Sequence, residues 1–529
     1  MARHPATALT KHSPTAADMA HKGSVWMAAA MPTYPPLSDN LAADVCIVGA
    51  GIAGLTTAYL LTQSGESVIV LDDGAIAGGM TQATTAHLSD AIDDRYFEIE
   101  RLHGEAGARL AAASHTAAIH RIEAIVNKER IDCDFQRLDG YLFLPPGGDP
   151  EVLERELTSA RRAGLDVTET SRAPMTFFDT GRCLRFPHQA QFHPLKYLAA
   201  LAGAIERNGG RLFTETHADE ISGGAPATIK ARGFTVTADA VVVATNTPIN
   251  DLLAIHTKQA PYMSYVIAGR VPRGAVAKAL YWDTDDPYHY VRLQEVQDGS
   301  GQDDLLIVGG EDHKTGQADD HLARHARLES WAREHFPMMT DVEFAWAGQV
   351  METIDGLAFI GHNPLDKDNI FVATGDSGMG MTHGTIAGIL LTDLIRGREN
   401  PWQTLYDPSR KTLRAAGTFA KEALNMAAQY SDWLTRGEVD SVDEIDTDSG
   451  AVLRRGLTKV AVYRDETGAL HECSAVCPHL GCIVAWNAAA RTWDCPCHGS
   501  RFDKLGEVIN GPANKGLAPA PRDWVDKSA

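Results

Sequence analysis

The chain has 529 residues, 44% of them hydrophobic and 22% charged, the proportions of an ordinary globular protein too long for a single hydrophobic core. Its formal charge of −21, from 48 Lys and Arg against 69 Asp and Glu, argues against nucleic acid or an anionic membrane surface as a partner. No apolar run approaches the roughly 20 residues of a membrane span.

The first 40 residues are polar and carry no secretory-type apolar stretch, so a partly disordered extension of a cytoplasmic protein is expected there. From about 41 to 75 the pattern is strand, glycine-rich turn, helix, strand: "ADVCIVGAG", then "IAGLTTAYLLTQSG", then "SVIVLDD". A long helix is expected over about 96–130 and a second over about 195–208, leading to the apolar strand "ADAVVVAT". The span 260–350 reads as strand-rich. Near 370 the strand "NIFVAT" enters another glycine-rich turn and a helix, with amphipathic helix continuing to about 435. Six acids and no base fall in "EVDSVDEIDTD" (438–448), which reads as a solvated linker. Short strands and turns follow, as in a small β domain. Of eight cysteines, Cys46, Cys133 and Cys183 stand apart and read as buried thiols, while five cluster between 473 and 497, which points to a metal site.

Gly49, Gly51 and Gly54 form G-x-G-x-x-G between a strand and a helix. The first permits the turn, the second lets the backbone approach a pyrophosphate, and the third lets helix and strand pack closely. Asp72 ends the next strand, placed to bond a ribose hydroxyl and to disfavour a 2′-phosphate, so NADP fits poorly. This turn alone leaves NAD and FAD open.

The segment "IFVATGDSGMGMTHGTIAG" (370–388) resembles the flavin-contacting motif of the glycine-oxidase and D-amino-acid-oxidase superfamily. "GGMTQATTAHLS" (78–89), "ADAVVVAT" (238–245) and "WAGQVMETIDGLAFIG" (346–361) also match its pattern, in order. The resemblance covers about 41–425 and implies FAD, contacted by Gly378, Gly380, Met381 and Thr382. It implies a Rossmann-like α/β FAD-binding domain (about 41–95, 185–255 and 346–425) with an inserted α+β substrate domain (about 96–184 and 256–345), the whole spanning 41–430. Asp72 stands where the family usually has glutamate, and Asn246 where it has glycine. Some members bond a histidine near His87 covalently to the flavin; here a supporting histidine and non-covalent FAD are expected. In "YWDTDDPYHYVRL" (281–293), Arg292 is a candidate for clamping a substrate carboxylate, with His289 or Tyr290 beside it. An exposed strand with ordinary polar residues is the alternative.

Near the C-terminus stand Cys477 and His479, then, fifteen residues on, Cys495 and His498. Two thiolates and two imidazoles on paired loops suit a Rieske [2Fe–2S] cluster, and the same donor set suits zinc. "CPHLGC" and "CPCHGSRFD" resemble the two cluster loops of Rieske proteins, which implies that Cys477 and Cys495 hold one iron and His479 and His498 the other. The same resemblance, closest to the cytochrome bc type, implies a disulfide between Cys482 and Cys497 and a hydrogen bond from Ser500 to the cluster. Phe502 replaces a tyrosine, removing one hydroxyl donor and implying a potential below that of bc-type clusters. An all-β Rieske domain over 451–529 is therefore expected, after an acidic linker at 431–450.

Together these features predict flavin-dependent oxidation of a small organic substrate, an amino acid, N-methyl amine or related C–N compound. Electrons would pass from FAD to the cluster and on to a one-electron acceptor protein or quinone. The alternatives are an electron-transfer protein whose cluster receives electrons from a partner, and an oxygenase-type component. The latter needs a mononuclear iron site, for which His321 and His325 near Asp319 and Asp320 are the nearest match, although they read as a solvated helix face.

Overall fold

Strand β1 (Leu41–Val48) is buried where it meets the glycine-rich turn, because it lies at the centre of a largely parallel sheet covered on both faces. Val45 and Ile47 pack on the side of helix α1 (Ile52–Gln63), while Cys46 and Val48 pack on the opposite side. Strand β2 (Val68–Leu71) runs parallel beside β1. This first sheet has the order Phe359–His362, Ile370–Thr374, Phe234–Val243, β1, β2, Arg211–Phe213, and a hairpin of Ala218–Ser222 and Ala227–Ala231 extends it. The computed structural model describes residues 23–175, 177–250, 255–296, 301–456 and 458–521.

Helix α2 (Tyr96–Glu129) is broken at Gly104, whose φ of 74° is non-helical. After strand β3 (Phe234–Val243) the chain builds a nine-stranded second sheet. Its long antiparallel strands are β4 (Gln259–Pro272), β5 (His289–Glu295), β6 (Asp303–Lys314) and, after helix α3 (His321–His335), β7 (Val342–Thr353). Helix α3 covers one face of this sheet through Leu328 and Ala332, packed on Tyr265, Ile267 and Val308. The other face turns toward the first sheet. Strand β8 (Ile370–Thr374) and helix α4 (Gly380–Ile395) then return to the first sheet. Strand Cys183–Gln191 pairs within the second sheet, as does all of β7. The two boundaries expected at about 185 and 346 therefore fall inside second-sheet strands.

Helix α5 (Ala416–Gln429) ends earlier than the expected 435, giving way to a 3-10 turn at Tyr430–Trp433. The C-terminal part is all β, with a three-stranded sheet (Ser449–Arg455, Thr458–Arg464, Leu470–Ser474) and a four-stranded one ending at Val508–Asn510. The acidic stretch folds onto this part: Arg464 donates to the carbonyls of Ile445 and Val442, and Tyr463 donates to Asp448.

Of the expected N-terminal extension, residues 1–22 lie outside the described residues, and 23–40 pack against the core. Trp26 is fully buried and donates to Thr84 O at 2.6 Å, and the Leu37 amide donates to Thr216 Oγ1 at 3.0 Å. Among the described residues, no helix is long and apolar enough to cross a membrane.

Candidate cofactor sites

The C-terminal ends of the first-sheet strands form one rim of a cavity of about 850 Å³. Strand order fixes the sequence along that rim: Asp72 after β2, Gly49 after β1, Asn246 after β3, then Gly375 to Gly380 after β8. Gly49 has φ +106°, and a Cβ there would lie 2.4 Å from Ala244 O. A Cβ on Gly54 would lie 1.9 Å from Gly49 O, so this glycine sets the helix–strand contact and does not line the cavity. Gly51 is the N-cap of α1 and has no side chain to cap it; Thr81 Oγ1 accepts from the Ile52 amide at 3.3 Å, and the positive end of the helix faces the cavity. Asp72 accepts from the Ala50 amide at 2.6 Å and the Gly74 amide at 2.9 Å; burial pushes it up to about 6 against those bonds. The cavity and the helix N-terminus that faces it fit a dinucleotide.

Gly51→Asp is expected to separate folding from cofactor binding. The new carboxylate would cap α1, stabilising it by only about 0.3 kcal/mol over glycine, while repelling a pyrophosphate. We expect purified protein without flavin absorbance and with an unchanged circular dichroism spectrum.

At the other end of the rim, Gly378, Gly380 and Met381 line the cavity where α4 begins. Thr382 does not. It is buried, its Oγ1 lying 2.9 Å from His115 Nδ1 and 3.1 Å from Met379 O, so its side chain is turned away from the expected flavin contact. His87 lines the cavity, with Nδ1 3.1 Å from Thr85 Oγ1 and Nε2 3.4 Å from Val291 O. Burial and the Arg292 charge push its pKa down to about 3. The 346–361 motif supports this wall: Trp346 donates to Ala83 O at 2.8 Å, and Asp355 is held by Arg410 through contacts of 2.8 and 2.6 Å.

Three of the expected substrate-site residues divide by strand parity. Tyr290 lines the cavity, its hydroxyl 2.7 Å from Ser264 Oγ. His289 points to the opposite face of β5, bonded to Asp283 at 2.9 Å and stacked on Trp331. Arg292 shares the face of Tyr290 and yet is fully buried. Its Nη1 donates to the carbonyls of Thr85, Ala86 and Phe192, its Nη2 donates to Gln294, and Trp26 covers the guanidinium. It holds the 84–86 segment in place and is not available to a substrate carboxylate. His321 and His325 are buried against the second sheet, His325 Nε2 lying 3.1 Å from Trp346 O, so they do not form the expected solvated helix face.

In the β domain, Cys477, Cys495 and His498 are buried, and the rings of His479 and His498 lie 4.9 Å apart. A disulfide between Cys482 and Cys497, with Cα atoms 6.4 Å apart, ties the two loops together. A hydrogen bond from the Cys495 thiol holds Cys477 below the usual thiol range despite burial, helped by the His479 amide and the Ser500 hydroxyl. His498 Nδ1 is buried without a hydrogen-bond partner. Two converging sulfurs and two adjacent imidazoles fit the expected cluster. Cys46, Cys133 and Cys183 are buried thiols, as expected, and burial pushes Cys133 up to about 12 and Cys183 to about 11. Phe502 is fully buried in this core. Phe502→Tyr is expected to raise the cluster potential by adding a donor near its sulfurs, as read by EPR-monitored redox titration.

The two sites adjoin. Gln349 lines the cavity and donates to Gly499 O in the second cluster loop at 2.8 Å. Gln317 donates to Pro496 O at 3.0 Å, and Gly499 packs on Pro261 of β4. Buried His256 brings its ring to 4.9 Å from His479 and 6.0 Å from His498. Tyr430 and Trp433 donate to Leu480 O and Gly481 O of the first loop. Residues 508–511 and 513–516 of the β domain also line the cavity. Nothing in the sequence around His256, an isolated histidine, signals this contact.

A dinucleotide fold joined to a two-loop sulfur–imidazole site defines an oxidoreductase that carries FAD and a [2Fe–2S] cluster. The chain belongs to the family described as FAD dependent oxidoreductase, which matches residues 44–394, and residues 433–521 match the Rieske [2Fe-2S] domain. It is 32% identical over 493 residues, 92% of this chain and 95% of the relative, to a Bacillus subtilis (strain 168) protein named as a Rieske 2Fe-2S iron-sulfur protein, YhfW. It is 27% identical over 402 residues, 72% of this chain and 90% of the relative, to the gamma-glutamylputrescine oxidoreductase of Escherichia coli (strain K12). A glycine oxidase from Geobacillus kaustophilus shares the fold, with a TM-score of 0.58 and 19% identity, covering 70% of this chain and all of that one.

Proposed function

We propose that the protein oxidises a C–N bond of a small organic molecule and delivers the electrons singly to an external acceptor. FAD supplies a two-electron acceptor and the cluster a one-electron carrier, so their pairing converts a two-electron oxidation into stepwise delivery. The substrate loses two electrons and two protons to become an imine. The observation that carries the reading is Gln349, which lines the cavity while its side chain bonds the second cluster loop. Gln349 thus touches both the cavity and the second cluster loop. Gly49, Gly51, Gly378, Gly380 and Met381 would hold the dinucleotide, and Cys477, Cys495, His479 and His498 the cluster. Likeness to a gamma-glutamylputrescine oxidoreductase supports C–N chemistry. A cytoplasmic setting and a protein or quinone acceptor complete the proposal.

The test is anaerobic mixing of the holoprotein with amines, N-methylated amines and amino acids while following flavin absorbance and the EPR signal of the reduced cluster. Both should respond to the same compound. Bleaching without the cluster signal would remove the relay. Silence toward every compound would favour the carrier reading.

A further inference from the structure

The cavity wall facing the 376–381 turn carries acids, and among the described residues no arginine lines it. Asp93 and Asp376 line it together with Ser264, Tyr288 and Tyr290. Asp93 accepts from the Tyr288 hydroxyl at 3.0 Å. Behind this wall a bulge in β6 places a further carboxylate: Met263 pairs with His313 and Tyr265 with Gly310, so one residue of β4 faces two of β6. Glu311, at φ +60°, pairs with Arg327 on the α3 side, and Asp312 turns the other way, toward Ser264. Bulges commonly re-aim a side chain in this manner beside active sites. Glu352 lies two residues beyond cavity-lining Val350 on β7, on the same face, within electrostatic range of Asp93, Asp94, Asp312 and Asp376.

The balance of charge is one-sided. Among the described residues, the Lys and Arg lining the cavity reduce to Lys515, in the β domain. Arg95 partly offsets Asp93 and Asp94 from nearby, while its guanidinium donates to the carbonyls of Asp93 and Asp283. Arg324, the other nearby cation, donates to the Glu311 and Asp312 carbonyls and to Asp320. Oδ1 of Asp312 and Oδ2 of Asp94 are buried with no hydrogen-bond partner. Burial and mutual repulsion push Asp94 and Asp312 up to about 7 and hold Glu352 well above the usual carboxylate range. Orphaned carboxylate oxygens in a folded interior are costly unless a cation meets them. No guanidinium lines this wall to pair with an α-carboxylate, since Arg292 is engaged elsewhere.

We propose that the substrate is a cationic amine without a carboxylate beside its reacting carbon, an alkylamine or diamine whose ammonium is received by Asp93 and Asp376 against the rings of Tyr288 and Tyr290, with Asp312 and Glu352 adding negative charge behind them. The two rings lie 5.4 Å apart and tilted by 37°, and each presents a face that attracts an ammonium. The inference rests on the proposed C–N oxidation for its chemistry and on the acidic wall for its selectivity.

The experiment titrates the FAD-loaded protein anaerobically with n-butylamine, 1,4-diaminobutane, glycine and sarcosine, and separately with tetramethylammonium, which binds without being oxidised. The amines should bleach the flavin and tetramethylammonium should perturb its spectrum, while the two amino acids do neither. Asp312→Asn and Glu352→Gln should each weaken tetramethylammonium binding about tenfold or more. Because each also relieves like-charge repulsion, thermal stability should hold or rise, whereas acids serving only the fold would lose stability when neutralised. Bleaching by glycine or sarcosine in place of the amines would overturn the amine assignment and leave C–N oxidation standing. If no compound bleaches the flavin, the proposed oxidation fails, and the tetramethylammonium arm still decides: binding lost in both variants upholds the cation site, and no binding overturns it.

Discussion

Cys495→Ala is expected to abolish the cluster completely while leaving a yellow, folded protein. Cys495 is one of two buried sulfurs that converge in the β domain, and its loss leaves Cys477 without its hydrogen-bonding partner. The loops should survive, because the Cys482–Cys497 disulfide and the bonds from Tyr430, Trp433 and Gln349 hold them independently. The reduced-cluster EPR signal should vanish and iron content should fall to background. Flavin bleaching by substrate should persist, since no cluster ligand lines the cavity. Reduction of a one-electron acceptor should fall to background. Retention of acceptor reduction at the wild-type rate would show that electrons leave the flavin by another route.

Asp355→Asn is expected to cost about 3–5 kcal/mol of stability, because it strands a buried arginine. Asp355 and Arg410 are almost wholly buried side chains. Arg410 also donates to Ala358 O at 2.7 Å, and Thr412 donates to Asp355 at 2.5 Å. Burial alone would raise the Asp355 pKa; the Arg410 charge overcomes it and holds the group at about 2, below the 3.8 of an unfolded aspartate. A depressed folded pKa stabilises above the unfolded value, so the contribution is whole above about pH 4 and fades as pH falls toward 2. Chemical denaturation of wild type and variant should therefore differ most near neutral pH, with the gap narrowing below pH 4. Ala358 lines the cavity, so FAD retention should also weaken.

The cluster ligands are legible in the sequence because short loops fix their spacing, and the first β-turn-α unit because its three glycines answer local steric demands. The acids are not. Asp93, Asp312 and Glu352 are far apart in sequence, and a bulge in β6 decides which way Asp312 points. The role of Arg292 is hidden for a related reason. Strand parity correctly gives it the face of Tyr290, but the segment that covers it includes Trp26, in a polar N-terminal stretch with no periodicity of its own. The contact of His256 with the cluster histidines depends on how two domains dock, which no local pattern encodes.

The β domain also supplies part of the wall of the cavity proposed to hold FAD. Asn514 donates to the carbonyl of Ala218, at the edge of the first sheet, and residues from 508 to 516 stand over the same space. A shift of the β domain would therefore change the shape of that cavity directly, and flavin residence time is expected to respond to substitutions at the domain interface as well as in the glycine-rich turn.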